Sequence, residues 1–588
     1  MSNIFQSIRV KKPSKTNFDL SHENICSSEV GRLMPVQLHP TLPFEWWRGR
    51  TEAFIRLAPL MYPIYSRMNS YIHHFFMPNR LLWEGWQEFI TGGKEGDSDL
   101  VYPRIAITYR YLFTHQSYFA PSSLYDYLGF PTIPQNLNMD ASVSDDIVFE
   151  LDLLPFLAYY KIWQNYYADQ NLTDFVIPDD WMLPRDFGIV DPVSDGLEPF
   201  GGIKLNDLLE ELFTCRYRAW EKDYFTSALP TPQRGEDVQL PLAGTAPVTG
   251  RIALNNLNIP GGSVSTLPTK IRPQVRSSAD VVVTDLAAFT TNNSGITVTN
   301  GGSPVVVDNS ASLKFVDGEA DLSDARMVTI NELRRGFSVQ RFKEVLARTG
   351  YRYRDYIFGI FGGLSSDSRL QRPEYLGGGK APIVVGEVLQ TSQTTAQSPL
   401  GEMAGKGVGT ASDNGFKYKP EEHGFIITIM SVIPRSSYSQ GLSRLFTKFD
   451  KTDYGNPLFA HLGEQEVDNS ELFAFTSVKG SGGMANVVVD IKANKGTFGY
   501  QSRYSEYKYH PNTIHGDFRT SLNRWHTSRQ FDSPPGLNEQ FVTVNPAEVN
   551  RVFAVETANG EPVDHLWIQI YNKVHALRPL PKYGTPRL

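Results

Sequence analysis

The chain has 588 residues, of which 41% are hydrophobic and 20% are charged, and its formal net charge is −7. This apolar fraction is enough for a sizeable core and excludes a disordered chain. The negative charge argues against a protein that coats nucleic acid over its whole surface. The length suggests about four domains, or one large β-domain with insertions.

The N-terminal segment is polar and basic. Four cations precede the first acid, Asp19, so we interpret residues 1–18 as a basic arm: Arg9, Lys11, Lys12 and Lys15. The segment carries no apolar stretch of the signal-peptide type, and we expect a protein made without export. Between Val30 and Pro78 repeated prolines interrupt helices, which predicts strands such as Glu52–Leu57 and Ser70–Met77.

Helices are predicted at only three places. Asn79–Gly93 has apolar residues at helical spacing, a possible N-cap in Asn79 and a glycine stop. Leu153–Gln170 has a similar spacing of apolar residues. Thr329 and Glu332 form a capping-box pattern that opens a helix ending at Gly350.

Gly244–Ser312 differs in composition from the rest of the chain. It is rich in Val, Thr, Ser, Asn and Gly, and Phe289 is its single aromatic residue. Such a composition favours short strands and turns, so we predict a β-rich excursion with a small fold of its own. A disordered loop is the alternative interpretation.

Short apolar runs recur after Gly350, separated by turn residues. We predict strands at four of them: Ile383–Leu389, Gly424–Ile433, Met484–Ile491 and Phe541–Val544. The run Gly424–Pro434 is too short to span a bilayer, so no membrane contact is expected. Tyr500–His510 alternates tyrosines with polar residues, which indicates a strand with one buried face. The fold class expected from the residues is mainly β, with few helices and long connections.

No catalytic constellation is visible in the sequence. Gly401–Lys406 is one residue short of a phosphate-binding loop, and we interpret it as a turn. Gly377–Lys380 lacks the second half of such a fingerprint and is expected to be a loop with unusual backbone angles. Asp179, Asp180 and Trp181 could suggest a glycosidase platform, but without a second carboxylate at a defined distance a turn before a helix is the better interpretation.

The histidines and cysteines do not suggest a metal site. His73 and His74 are adjacent, so on a strand they point to opposite faces, one packed and one exposed. Cys26 and Cys215 are too few for a disulfide framework or a four-cysteine zinc site, and each is expected to be a small buried hydrophobic residue. We therefore predict no enzyme activity, no metal and no cofactor.

Contact with nucleic acid has some support at the two ends of the chain. The segment from His565 to Leu588 contains four cations and no acid, as the first 18 residues also do. Such ends can bind phosphates without reading sequence. The candidate DNA-contacting residues are Arg9, Lys11, Lys12, Lys15, Lys573, Arg578, Lys582 and Arg587. Tyr351–Arg354 and Tyr500–Tyr509 interleave aromatic residues with cations, either as a stacking surface for single strands or as cation–π and salt-bridge pairs at subunit borders.

Several segments resemble one family, the major capsid proteins of microviruses, which are small bacteriophages with circular single-stranded DNA. The likeness is greatest to gokushovirus-like members. It rests on motifs spread over nearly the whole chain except 244–312: FDLSHE (18–23), FFMPNRLLWEGWQEFITGG (75–93), AYYKIWQNYYADQN (158–171), DYFTSALPTPQRG (223–235), TINELRRGFSVQRF (329–342), RLQRPEYLGGG (369–379) and PLGEMAG (399–405).

The resemblance implies an eight-stranded viral jelly roll with long inserted loops and a few helices. Residues 19–243 would form its first part and 313–588 its second part with a basic tail. Identical subunits would assemble into a T=1 icosahedral virion capsid in the bacterial cytoplasm. The expected partners are further copies of the chain, packaged single-stranded DNA, a DNA pilot protein, a small DNA-binding protein and a host surface receptor.

The resemblance also gives 244–312 a role as a variable surface protrusion that attaches to the host. The candidate host-contacting residues are Asn292, Asn293, Thr297, Thr299 and Asn300. Two other classes of protein are weighed against the capsid. A single-stranded-DNA-binding protein that forms no shell would bind DNA cooperatively as a small soluble oligomer. A secreted carbohydrate-active enzyme would need an export signal and a carboxylate pair.

Overall fold

The computed structural model divides the chain into two compact units, residues 1–234 with 343–588 and residues 235–342. None of the helices within the residues it describes combines the length and the apolar character needed to cross a bilayer. The described residues are 14–94, 98–133, 147–192, 199–200, 202–235, 248–254, 275–276, 282–283, 288–292, 295–300, 303–306, 313–320, 330–349, 366–389, 391, 403–474, 476–479, 485–488, 495–555 and 563–583.

Five strands follow one another closely at the start of the larger unit. They are β1 (Thr16–Asp19), β2 (His22–Ser28), β3 (Met34–Thr41), β4 (Trp46–Leu57) and β5 (Met68–Pro78). The strands predicted at Glu52–Leu57 and Ser70–Met77 are confirmed within β4 and β5. Pro35 and Pro40 lie in β3, which ends its sheet, where a missing backbone donor is tolerated.

The segment that follows β5 contains several short helices and strands. Its elements are α1 (Trp86–Thr91), β6 (Arg104–Thr108), α2 (Tyr109–Thr114), α3 (Leu124–Tyr127), β7 (Ile147–Asp152), α4 (Leu154–Tyr166), β8 (Ile189–Val190), β9 (Pro199–Phe200), β10 (Ile203–Lys204) and α5 (Leu205–Phe213). The helix predicted from Asn79 is wrong in its first half, because Asn79–Leu81 is a 3-10 turn whose Asn79 side chain does not cap it. Gly92 does end α1 in a left-handed conformation, φ 76°.

The helix predicted at Leu153–Gln170 is confirmed as α4, although it ends four residues earlier. Eleven of its 13 residues are buried, so it is packed on all sides and not only along one stripe. Lys161 illustrates this packing, since its ammonium donates to the carbonyl oxygens of Pro178 and Asp179, each at 2.8 Å.

The smaller unit contains short antiparallel strands. They are β11 (Val248–Leu254), β12 (Val275–Arg276), β13 (Val282–Val283), β14 (Ala288–Asn292), β15 (Gly295–Asn300), β16 (Ser303–Val306) and β17 (Leu313–Ala320). β11 pairs with β17, β12 with β13, and β14–β16 form a three-stranded sheet. The predicted helix near the end of this segment is confirmed as α6 (Ile330–Thr349). Its expected cap Thr329 and its expected stop Gly350 lie outside the described residues.

The remaining chain returns to longer strands. Its elements are β18 (Glu374–Leu389), β19 (Met403–Ser412), β20 (Phe416–Tyr418), β21 (Gly424–Pro434), β22 (Glu464–Asp468), α7 (Asn469–Leu472), β23 (Thr476–Lys479), β24 (Ala485–Val488), β25 (Thr497–Ser502), α8 (Glu539–Val542), α9 (Pro546–Asn550) and β26 (Leu566–Arg578). Strands predicted at Ile383–Leu389 and Gly424–Ile433 are confirmed in β18 and β21. The one expected at Met484–Ile491 is described only as β24.

Two strand predictions in this part are wrong. Phe541 lies in the short helix α8, because the side chain of Asn538 accepts a hydrogen bond from its amide at 2.9 Å and starts a helical turn. The alternation of Tyr500–His510 continues only to Ser502. Tyr504 then adopts φ 60° and the chain enters a 3-10 turn at Ser505–Tyr507.

The glycine-rich segments also differ from their predicted loops. Gly377–Lys380 lies inside β18, and the predicted unusual backbone angle occurs at Gly377, φ 138°, beside a bulge. Gly378 is needed because the added Cβ of any other residue would overlap the carbonyl oxygen of Ile72 across the ladder. In the other segment Met403 already begins β19, while 401–402 lie outside the described residues.

Eight strand positions make a jelly roll. The hydrogen-bonded order is β1–β26–β4–β19–β18–β5–β21–β3, with β2 extending β1 along β26 and β20 beside β4. When these eight strands are numbered 1 to 8 in the order in which they occur along the chain, the sheet order is 1-8-3-6 joined to 5-4-7-2. In this arrangement two Greek keys enclose a common core. The predicted eight-stranded jelly roll with long insertions is confirmed.

The two halves of the barrel differ in what covers them. We call β3, β21, β5 and β18 the covered sheet, because its central strands are buried on both faces. Phe75 and Ile427 pack into the core shared with α4 and α5, while Phe76 and Ile426 face the barrel interior. We call β1, β2, β26, β4 and β19 the open sheet. In β4 and β26 every second residue is exposed, so its outer face meets solvent.

Candidate functional site

Cations cluster on the outer face of the open sheet. In β4 the outward positions include Arg48 and Arg50, and in β26 they include Lys573 and His575. The register of β26 on β4 pairs Lys573 with Arg50 and His575 with Arg48. On the other side of β4, Lys417 of β20 is also paired with Arg48. We call these five residues the basic groove.

This arrangement places like charges directly opposite one another. Cross-strand neighbours on one face have Cβ atoms about 5 Å apart, and like charges at such positions destabilise a sheet. Lys573 opposite Arg50 and Lys417 opposite Arg48 are both of this kind. A bound polyanion would offset the repulsion, so the pattern favours an anionic ligand.

The groove also contains a limited amount of negative charge. It has a volume of about 700 Å³. The Arg50 Nε lies 3.3 Å from the Glu52 Oε1, and both side chains are half exposed. Asp19 lies 3.8 Å from His575 Nδ1, and hydrogen bonds from the Ser21 hydroxyl and amide hold the pKa of Asp19 below its usual value. Four permanent cations thus face two carboxylates.

Exposed aromatic rings continue the groove at one end of β4. Trp46 and Phe44 are 51% and 54% exposed. The Lys419 ammonium lies 5.8 Å from the Trp46 ring centroid and 5.4 Å from that of Phe44. Cations beside accessible rings are the combination with which proteins hold single-stranded nucleic acid.

The structure separates the predicted DNA-contacting residues. Lys573 lies in the basic groove, and Lys582 is exposed, 5.8 Å from the Tyr583 ring. The Lys15 ammonium donates to the carbonyl oxygen of Phe44. Arg9, Lys11, Lys12 and Arg587 lie outside the described residues.

Arg578 has internal partners. Its Nε lies 3.1 Å from the buried carboxylate of Glu45, its guanidinium lies 4.9 Å from the Trp47 ring, and it donates to the carbonyl oxygen of Pro40 at 2.8 Å. Burial raises the pKa of Glu45. These contacts fix the end of β26 against β3 and β4.

Sequence reasoning missed most of the groove. Arg48, Arg50, Lys417 and His575 of the groove, and the neighbouring Lys419, were not among the candidates. The first strand was predicted to begin only at Glu52, and no strand was predicted at β20. The signal was nevertheless present in the period-two spacing of the two arginines within WWRGRTE and of the two lysines within KYK.

The other polar pairs have structural partners. His73 and His74 do face opposite sides of β5, as predicted, but His73 is partly buried and not exposed. Its Nδ1 lies 2.8 Å from the Tyr167 hydroxyl, and burial lowers its pKa to about 4. His74 is fully buried, with Nδ1 2.8 Å from Thr428 Oγ1 and Nε2 paired with Asp413.

The remaining candidates do not assemble a reaction centre. Asp179 and Asp180 are exposed in a turn, but the described residues 181–192 that come directly after them contain no helix. Cys26 and Cys215 are free, and burial raises the thiol pKa to about 12 and about 11 respectively. In the described part of the chain no group of three or more His, Cys, Asp or Glu side chains could hold a metal ion.

In the described tyrosine-rich segment the rings pair with cations of the same chain, whereas pairing at subunit borders stays a prediction. The Lys448 ammonium lies 3.7 Å from the centroid of the Tyr507 ring and 2.9 Å from Glu506. Arg503 lies over Tyr504 at 5.1 Å. These are cation–π and ionic pairs within the chain. Tyr351–Arg354 lies outside the described residues.

The predicted host-contacting residues lie mostly on one small sheet. Asn292 ends β14, and Thr297, Thr299 and Asn300 belong to β15. Thr297 pairs with Thr290 and Val306, between the two neighbouring strands. Asn293 is outside the described residues.

The comparison with known protein families decides the identity of this jelly roll. The model of the capsid protein (F protein) family matches residues 6–588. The chain belongs to this capsid protein family. Capsid protein VP1 of Chlamydia phage 1 is 32% identical and aligned over 100% of this chain and 98% of its own length. Capsid protein VP1 of Bdellovibrio phage phiMH2K is 29% identical (99% and 97%), and that of Spiroplasma virus 4 is 27% identical (98% and 95%).

Family membership confirms the resemblance to microvirus capsid proteins. This chain is a structural capsid subunit and not an enzyme. A capsid protein acts through its surfaces, so the basic groove and the surfaces that meet other copies are the functional sites to consider.

Proposed function

We propose that identical copies of this chain close into a T=1 icosahedral shell around a circular single-stranded DNA genome, assembled in the cytoplasm of the bacterial host. The observation that carries the proposal is a complete viral jelly roll in a chain of the capsid protein family. One set of contacts repeated by closed symmetry is sufficient to build such a particle.

Electron microscopy of the purified protein tests the shell. We expect uniform icosahedral particles under assembly conditions. Small soluble oligomers that bind DNA cooperatively would instead favour the alternative function, a single-stranded-DNA-binding protein that forms no shell.

The basic groove is the proposed contact with packaged DNA. Phosphates would offset the repulsion between its opposed cations, Lys573 with Arg50 and Lys417 with Arg48. The exposed ring of Trp46 offers a surface on which a base can stack. This proposal places the groove on the inner surface of the shell. The terminal cations Arg9, Lys11, Lys12, Lys15, Lys582 and Arg587 would add further phosphate contacts.

Salt titration of binding to an oligothymidine tests this assignment. Each cation that contacts a phosphate contributes about 0.7 to the slope of log affinity against log salt for a single strand. The pair Lys417→Ala and Lys573→Ala should therefore lower the slope by about 1.4. The matched pair Lys94→Ala and Lys204→Ala removes exposed cations outside the groove and should leave it unchanged. Equal slopes for all three proteins would contradict the assignment.

The segment 244–312 is proposed to protrude and attach to the host. Its support is compositional, together with the small sheet β14–β16 that carries Asn292, Thr297, Thr299 and Asn300. Replacing 288–306 by a short Gly–Ser linker should leave particles intact but reduce their adsorption to cells. Failure of the variant to form particles would make the segment structural.

We also propose two minor virion proteins as partners, because the chain belongs to a capsid protein family. A DNA pilot protein and a small DNA-binding protein are the expected minor components of the virion. Mass spectrometry of purified particles tests their presence.

A further inference from the structure

The loop 442–462 exposes an unusual amount of apolar surface. Phe446, Phe449 and Leu458 are 74%, 89% and 83% exposed. Four other large apolar side chains of the same loop are also exposed: Leu442, Leu445, Tyr454 and Leu462. Single exposed apolar residues are common on protein surfaces, but a group of seven within 21 positions marks an interaction surface.

Two basic side chains of this loop, Lys448 and Arg444, pair with buried acids of the same chain. Lys448 pairs with Glu506 at 2.9 Å, and both side chains are almost completely buried, 5% and 7% exposed. Arg444 lies 3.2 Å from Glu471, whose side chain is 4% exposed. These ion pairs turn two cations towards the protein, whereas large apolar side chains beside them, such as Phe446 and Phe449, are exposed.

Hydrogen bonds fix the backbone of the loop in this orientation. The carbonyl oxygen of Thr452 accepts from the Arg503 guanidinium at 2.8 Å and from the Tyr504 hydroxyl at 3.0 Å. Asp453 accepts from the amides of Phe449 and Asp450 at 3.1 and 2.9 Å. A loop ordered before binding loses little conformational entropy when a partner covers it.

The exposed area is large enough for a stable interface. Taking about 200 Å² for a fully exposed large side chain, the seven residues present roughly 900 Å². This area matches the roughly 800 Å² that each partner buries in a standard protein–protein interface.

We propose that the loop 442–462 is a subunit contact that packs against a second copy of this chain. The inference rests on the proposed shell and identifies one of its contact surfaces. A second copy is the occupant because the area is that of a stable interface and the chain belongs to a family of capsid proteins. Phe446 and Phe449 are its central anchors, since aromatic side chains dominate the energy of such interfaces.

The experiment compares shell formation by the purified full-length wild type, the double variant Phe446→Ser/Phe449→Ser, and a control. Ile25→Ser is the matched control, because Ile25 is 85% exposed on β2, far along the chain from the loop. Thermal unfolding checks that each subunit is folded, and sedimentation with electron microscopy measures the assembled fraction. We expect the double variant to fold like the wild type, because its changed side chains are exposed. Its assembled fraction should fall at least about ten-fold, the effect of a lost anchor pair.

Normal assembly of the double variant would overturn the inference, and so would equal loss in the Ile25→Ser control. If the wild type also stays unassembled, the proposed shell itself is wrong. This outcome distinguishes failure of the proposed shell from failure of the proposed loop contact. A variant that assembles when purified but fails in cells would assign the loop to another virion or host protein and also overturn the proposal.

A charge exchange tests the orientation of the loop without changing its apolar residues. Lys448→Glu places two acids together and should impair assembly by releasing the loop. Lys448→Glu combined with Glu506→Lys restores the pair and should recover most of it. Assembly by Lys448→Glu at the wild-type level would show that the ordered loop is not required.

Discussion

Lys573 and Arg50 lie directly opposite each other on the exposed face of β26 and β4, without an acid between them in the ladder. A sheet selected for stability alone would place an acid at one of these positions. The pair therefore places two positive charges side by side on the open sheet, whose outer face in β4 and β26 is exposed.

The first prediction concerns this pair. Lys573→Thr should raise the free energy of unfolding of the subunit by about 0.5 kcal/mol, because it removes a cross-strand repulsion. The same change should weaken binding to single-stranded DNA. The stability gain should disappear in high salt, where the repulsion is screened. Chemical unfolding at two salt concentrations measures it, and a destabilised variant would contradict the prediction.

The second prediction is a dependence of stability on pH through His73. Burial lowers the pKa of His73 to about 4 in the folded chain, whereas the ordinary value is about 6.5. The unfolded chain therefore binds the proton first as the pH falls, and stability that is complete above about pH 6.5 is lost progressively down to about pH 4. The loss amounts to as much as about 3 kcal/mol.

His73→Gln tests this assignment, because glutamine does not titrate in this range and can still bond to the Tyr167 hydroxyl. The unfolding free energy of the wild type should fall by as much as about 3 kcal/mol more than that of the variant as the pH is lowered from about 7 to about 4. Parallel curves would show that His73 does not contribute to the acid sensitivity.

The third prediction separates Arg578 from the other candidate DNA contacts. Arg578→Met leaves the fully buried Glu45 carboxylate without its cation, and breaking a buried pair in this way costs about 3 kcal/mol. Lys582→Met, a matched loss of charge on an exposed side chain, should leave the unfolding free energy unchanged. Equal stability of the two variants would contradict the role given to Arg578, which is to fix the end of β26 against β3 and β4.

The fourth prediction compares two glycines of β18. Gly378→Ala should destabilise the subunit by about 2 kcal/mol or more, because the new methyl group overlaps the Ile72 carbonyl oxygen. Gly386→Ala should have little effect, since the nearest atom to its Cβ is 3.9 Å away. Yields of soluble folded subunit and melting temperatures measure both. A tolerated Gly378→Ala would show that β5 and β18 can separate locally.

The sequence allowed the barrel to be predicted better than the site. The covered strand β21 was recognisable as a continuous apolar run, because both of its faces are buried. The groove could not be predicted in full, because its charges come from β4, β20 and β26, whose register depends on pairings between residues more than 350 positions apart. Phe541 was misassigned because a local cap by Asn538 decided its conformation.

The position of β26 has a consequence for the synthesis of the subunit. This strand, residues 566–578, lies between β4 and the strands β1 and β2. Until β26 has been synthesised, β1 and β2 therefore have no strand that links them to β4 in the open sheet. A nascent chain still on the ribosome, or one truncated before residue 566, cannot present the complete basic groove. A subunit with a finished open sheet can therefore come only from a chain whose translation has passed this strand.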